Sequence, residues 1–155
     1  MRIGHGFDAH AFTEGRALML GGVHVLHHRG LAGHSDGDAL LHAIIDAMLG
    51  AAALGDIGGM FPSGDERWRD AHSIDLLTAA ARRIGDAGYR VINVDATVIV
   101  ERPRLAPHVG EMRECIARAL AIDISNISVK PKTSDGLGFT GRGEGIAAFA
   151  VALLE

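Results

Sequence analysis

Hydrophobic and polar positions divide the chain into segments of two distinct periods. Residues 38–54, DALLHAIIDAMLGAAAL, are apolar at nearly every position, which predicts a helix buried on most of its sides. SIDLLTAAARRIGDAG (73–88) predicts a second helix, with Ser73 as N-cap and Gly88 as its stop. PHVGEMRECIARAL (107–120) predicts a third, opened by Pro107 and striped by Val109, Met112, Ile116 and Leu120. Residues 2–8 read as a short strand, and ALMLGGVHVLHH (17–28) as two short strands turning at Gly21-Gly22. VINVDATVIV (91–100) alternates: Ile92, Val94, Ala96, Val98 and Val100 face one way, and Asn93, Asp95 and Thr97 the other. ISVKPKT (127–133) is a further strand, and EGIAAFAVALLE (144–155), apolar on both faces, fits a central or an interface strand. The expected class is α+β: a single sheet of about four main strands with helices packed on one face, plus a short hairpin.

A length of 155 residues suits one domain spanning 1–155. The formal net charge is -4, with Lys and Arg scattered, so no nucleic-acid footprint is expected and a small ligand fits better. One cysteine, Cys115, allows no disulfide within the chain and suits a reducing compartment. The opening MRIGHGFD has no apolar targeting core, and no apolar run approaches the roughly 20 residues of a membrane span. The expectation is a cytoplasmic protein without a membrane partner.

Three stretches carry candidate chemistry. On the 38–54 helix the polar exceptions are Asp38, His42 and Asp46, four apart and on one stripe, with His34 one turn earlier. A polar stripe on a buried helix is costly unless something satisfies it. It is either a structural hydrogen-bond network or a site. In GHGFDAH (4–10), Asp8 and His10 would share one face of a strand. Joined by His42 they would make a two-histidine, one-carboxylate set, the composition of a catalytic zinc site with an open position. Taken alone, the pair reads equally as a capping Asp and a stray His. DIGGMFPSGD (56–65) is either an anion- or ribose-binding loop or an ordinary solvent loop.

KPKTSDGLGFTGRGEG (130–145) contains a formal GxGxxG, but no helix is expected to follow and no acidic ribose partner can, so a dinucleotide site is rejected. Thr133, Ser134 and nearby amides suit phosphate, and Asp135 suits a harder cation such as Mg²⁺. Cys115 is expected in the core, His24, His27 and His28 at the surface, and His72 and His108 at helix starts. Trp68 and Tyr89 carry no usable pattern.

Taken together, GHGFDAH, GHSDGDALLHAIIDAMLGAAALGDIGGMFP and KTSDGLGFTGRGEG, at their spacing, resemble the 2-C-methyl-D-erythritol 2,4-cyclodiphosphate synthase family from Met1 to about Leu154. The resemblance implies a homotrimer with sites between subunits. It implies a lyase of non-mevalonate isoprenoid biosynthesis that cyclises a CDP-methylerythritol 2-phosphate and releases CMP. Asp8, His10 and His42 fall at the Zn²⁺ ligands, and Asp135 at a second cation, Mg²⁺ or Mn²⁺. His34, Ser35, Lys132, Thr133 and Ser134 fall at the phosphates, with His34 and Thr133 in catalytic roles. Asp56, Gly58, Phe61 and Asp65 fall at the methylerythritol and ribose. Val100, Arg104, Leu105 and Ala106 match the cytidine pocket, lent by a neighbouring subunit together with residues 132–135. Phe139, Arg142 and Glu144 line an axial cavity that can take an isoprenoid diphosphate.

The implied nucleophile is the substrate's own 2-phosphate, so the protein's tasks are positioning and charge neutralisation. Asp38 and Asp46 are expected to support the ligands from behind. Three positions depart from the family: Asp135 stands where glutamate is common, Lys132 where a small hydroxyl residue is common, and Arg104 where lysine is common. Two other readings stay open: a zinc phosphodiesterase giving a linear product, and a non-catalytic trimer that only binds isoprenoid diphosphates.

Overall fold

The computed structural model describes residues 1–155. The strands are β1 (Arg2–Thr13), β2 (Leu18–Leu20), β3 (Val23–Val25), β4 (Gly30–Leu31), β5 (Val91–Ile99), β6 (Ile127–Lys132) and β7 (Gly145–Leu154). The helices are α1 (Ala39–Ala52), α2 (Ile57–Met60), α3 (Ser73–Asp86), α4 (Val109–Leu120) and α5 (Gly138–Gly141). The main sheet has five strands in the order β4-β1-β7-β5-β6, and β2 and β3 form a separate hairpin. All neighbours in the main sheet are antiparallel except β5 and β6. No helix is long and apolar enough to cross a membrane.

The expected four main strands are present, and the two-residue β4 adds a fifth at the edge. β1 runs to Thr13, well past the expected end at residue 8, because it pairs with β7 from Arg2↔Leu154 to Ala11↔Gly145 and then with β4 at Phe12↔Leu31 and Thr13↔Gly30. Asp8 and His10 are therefore inside the strand. In β5 the irregularity between Val91 and Asn93 shifts the alternation. Val91 is buried in place of the expected Ile92, and Val94, Ala96, Val98 and Val100 follow as the pattern requires. β7 is central, between β1 and β5. Its apolar second face is partly exposed at Phe149 and Val151.

Helix α1 lies across β1 and β7, α3 packs on α1, and α4 packs on α3 and β6. One core cluster joins these elements with the hairpin. Two glycines let α1 approach so closely. A Cβ on Gly4 would run into the Ala47 carbonyl, and one on Gly6 into the Ala43 carbonyl. The same strand face that carries Gly4 and Gly6 carries Asp8 and His10. The helix they admit carries His42.

Candidate metal centre and substrate cleft

His42 is one turn into α1, and its Nδ1 lies 3.0 Å from Asp8 Oδ2. His10 Nε2 lies 2.8 Å from the same oxygen and 3.2 Å from His42 Nδ1. Three donor atoms thus face one point. Around a tetrahedral ion with bonds of about 2.0 Å, ligand atoms sit about 3.3 Å apart, so the set fits with small adjustment. It is the chain's one cluster of three or more groups able to hold a metal ion.

Each histidine is also held from behind. His10 Nδ1 hydrogen-bonds the Ala32 carbonyl. His42 Nε2 meets Ser73 Oγ at 2.9 Å and Ser35 Oγ at 3.2 Å. Such contacts leave the opposite ring nitrogens, His10 Nε2 and His42 Nδ1, to serve as ligands. Burial alone would raise the Asp8 pKa, but hydrogen bonds and charge from His10 and His42 outweigh it and hold the carboxyl far below its usual range. Burial likewise depresses His10, and its contacts with Asp8 overcome that and leave it raised.

The three groups open into a cleft of about 420 Å³, lined also by His34, Ser35, Gly58, Phe61 and Trp68. Trp68 meets Phe61 edge-on at 5.0 Å. His34 Nε2 and Trp68 Nε1 are buried without a hydrogen-bond partner in the chain, on two residues that line the cleft. Arg16 donates to the Gly33 carbonyl at 2.7 Å and also to the Ser35 carbonyl, bracing the loop that carries His34.

Asp56 and Asp65 do not line this cleft. Asp56 caps α2 through Gly59 N–H at 2.7 Å, and Asp65 caps a short turn and pairs with Arg67 at 2.5 Å. The carboxylates of Asp38 and Asp46 hydrogen-bond none of the ligand side chains, contrary to expectation. Asp38 caps α1 at Leu41 N–H (3.1 Å) and takes the Gly21 and Gly22 amides at 2.9 and 2.8 Å. Its full burial raises its pKa against those bonds. Asp46 accepts from Ile57 N–H at 2.7 Å, and its desolvation is the main cause of a raised pKa.

A second, smaller pocket of about 160 Å³ gathers Val100, Arg104, Leu105, Ala106, Lys132 and Thr133. Ser134 turns inward, to Thr140 Oγ1 at 2.8 Å and to the Glu101 carboxylate. Glu101 also takes the Ser134 and Gly136 amides at 3.0 and 3.2 Å, fixing the loop. Asp135 is exposed, at φ 53°, and accepts from Thr133 Oγ1 at 3.2 Å. None of these residues lines the first cleft. Phe139 is exposed, and Arg142 pairs with Glu144 at 2.7 Å. His24 and His28 are exposed, as expected.

Ser73 is not the N-cap of α3. His72 holds that position, and Ser73 is fully buried against His42. Asp36, which carries no motif of its own, accepts from Ser73 N–H at 3.0 Å and from its hydroxyl. Trp68, which carried no sequence pattern, is a wall of the cleft. For Asp36, its place inside the HSDGD stretch was the available signal.

The sequence profile of the YgbB family matches residues 1–155. The 2-C-methyl-D-erythritol 2,4-cyclodiphosphate synthase of Syntrophomonas wolfei is 57% identical over 155 residues, covering 100% of this chain and 99% of the relative. A solved 2C-methyl-D-erythritol-2,4-cyclodiphosphate synthase in its CDP-bound form superposes with a TM-score of 0.91 at 38% identity, covering 99% of this chain and 100% of that one. The bifunctional IspDF of Campylobacter jejuni superposes with a TM-score of 0.95 at 42% identity, and this chain spans 99% of itself and 42% of that protein. Over its whole length the chain belongs to the YgbB family.

Proposed function

We propose that the chain converts 4-diphosphocytidyl-2-C-methyl-D-erythritol 2-phosphate to 2-C-methyl-D-erythritol 2,4-cyclodiphosphate and CMP. The observation that carries this reading is the convergence of Asp8, His10 and His42 at the mouth of an open cleft. A relative 57% identical over the full chain bears the name of that synthase.

Two imidazoles and one carboxylate with an open side suit Zn²⁺, which when bound supplies Lewis-acid polarisation of a phosphoryl oxygen. Asp8, His10 and His42 would hold it. His34, whose buried Nε2 lacks a partner, donates to a phosphate oxygen as negative charge grows there. Gly58 and Phe61 seat the methylerythritol, with Trp68 closing the wall against water. Asp56 uses only one carboxylate oxygen in its cap, and the other takes a sugar hydroxyl. Asp65 reaches the substrate by exchanging Arg67 for it.

The second pocket holds the cytidine against Val100, Leu105 and Ala106, with Arg104 and Lys132 supplying positive charge. Thr133 and Ser134 contact phosphate. Asp135, a single exposed carboxylate, suits Mg²⁺ or Mn²⁺, ions that complete their shell with water and substrate phosphate. The CDP-bound neighbour supports a cytidine diphosphate substrate.

The two pockets do not merge within one chain. That separation supports a homotrimer in which one subunit's cleft meets a neighbour's cytidine pocket. So does the sheet face opposite α1, where Ile3, Phe7, Phe149 and Val151 are exposed and the Phe7 and Phe149 rings pack at a tilt, centroids 4.9 Å apart. Phe139, Arg142 and Glu144 would then surround an axial cavity able to take an isoprenoid diphosphate. We read residues 1–155 as a single cytoplasmic domain.

Phosphorus NMR of the purified protein with this substrate, Zn²⁺ and Mg²⁺ tests the reading. A cyclic diphosphate rising in step with CMP is expected. Zinc-loaded protein that gives no turnover would contradict it.

A further inference from the structure

We propose that Asp36 and Ser73 are a positioning pair that fixes the tautomer of His42 and thereby aims its Nδ1 at the metal. The inference rests on the reading of Asp8, His10 and His42 as a metal centre.

Ser73 Oγ stands between His42 Nε2 at 2.9 Å and Asp36 Oδ1, with Ser35 Oγ farther off at 3.5 Å. A carboxylate has no proton to give, so the Ser73 hydroxyl donates to Asp36. With its hydrogen committed there, Ser73 can only accept from the imidazole. The ring proton of His42 then sits on Nε2, and Nδ1 keeps its lone pair.

Geometry alone would not secure that outcome. His42 Nδ1 is 3.0 Å from Asp8 Oδ2, itself an acceptor. Asp8 would draw the ring proton onto Nδ1 and block the ligand atom. Ser35 Oγ also reaches Nε2, at 3.2 Å, but its other neighbours are Gly37 N–H at 3.4 Å and Ser73 Oγ at 3.5 Å. Neither fixes its hydrogen, so Ser35 can donate to Nε2 as readily as accept. The asymmetry between the two faces of the ring comes from Asp36.

Asp36 also accepts from Ser73 N–H at 3.0 Å, so it holds the first turn of α3 as well. The two roles separate cleanly. Ser73→Ala removes the hydroxyl and keeps the backbone N–H on Asp36. Ser73→Thr keeps both.

The test uses full-length protein loaded with zinc. Affinity is read by competition with a chromophoric chelator, and the ring proton by long-range proton–nitrogen correlation spectra of the histidines. Wild type should show the His42 proton on Nε2. Ser73→Ala should keep its helical circular dichroism, bind zinc about 10- to 100-fold more weakly, and, when stripped of metal, carry the His42 proton at least partly on Nδ1. Ser73→Thr should return toward wild type. Undiminished zinc affinity in a folded Ser73→Ala, or wild-type protein with the proton on Nδ1, overturns the proposal, the second even if the variants do not fold. Wild type that binds no zinc overturns the metal-centre reading, and the positioning role with it.

Discussion

Gly6 of β1 faces the carbonyl of Ala43 on α1 with no room between them for a side-chain carbon. That contact sets the distance from the strand carrying Asp8 and His10 to the helix carrying His42, one residue before Ala43. Gly6→Ala should push helix and strand apart. Overpacking of this kind costs about 1–3 kcal/mol. The variant is expected to melt lower and to hold zinc more weakly. Thermal denaturation with metal analysis checks both, and unchanged zinc content would show that the approach is not what assembles the ligands.

His42→Ala removes one of three ligands and leaves the rest of α1 in place, since the helix is anchored by its Asp38 cap and apolar burial. Zinc content should fall to background and turnover by about 10³-fold or more. The oligomeric state by light scattering should not change. Full zinc content in this variant would mean that the ligand assignment is wrong.

Asp135→Asn tests the second cation. The residue is exposed and touches only Thr133, so stability should be unaffected. Turnover should fall by about 10²-fold with zinc retained, and the dependence on Mg²⁺ concentration should shift upward. An unchanged Mg²⁺ dependence would remove Asp135 from that role. Asp135→Glu, which keeps the carboxylate, should be active.

Asp46 gives a pH signature. Desolvation is the main cause of its raised pKa, against the opposing bond from Ile57 N–H. A carboxyl raised in the folded state binds its proton more tightly there. Its contribution to stability is therefore full below the ordinary carboxylate range and is lost as pH rises through the raised value. Asp46→Asn keeps an acceptor for Ile57 and carries no charge. It should be more stable than wild type at neutral pH, with the difference closing as pH falls into the acid range. Melting curves across that range check it, and a gap that widens toward acid would contradict the assignment.

Much of this arrangement was legible in the residues. The buried helix with three polar exceptions announced α1, and the two-residue spacing of Asp8 and His10 announced a shared strand face. What stayed hidden depends on contacts across the chain. Ser73 sits where a capping serine belongs, but Asp36, far away in sequence, takes its amide and its hydroxyl. Asp38 and Asp46 share the helical stripe with His42, yet their partners are the Gly21-Gly22 turn and Ile57. Helical spacing gives a direction, not a neighbour. The irregularity at Val91/Asn93 reverses which of two adjacent apolar residues is buried, and no periodicity foretells it. Strand β4 is too short to have a period. The division of the expected substrate residues between two pockets is a fact of three dimensions.

The central claim is that the substrate's 2-phosphate, and not water, attacks the β-phosphorus in this cleft. Running the reaction in ¹⁸O-enriched water with phosphorus NMR tests it most directly, because ¹⁸O bonded to phosphorus shifts the resonance. The expected result is a cyclic diphosphate and CMP that both lack the label. A labelled linear product beside CMP would mean that the Asp8, His10 and His42 centre serves hydrolysis.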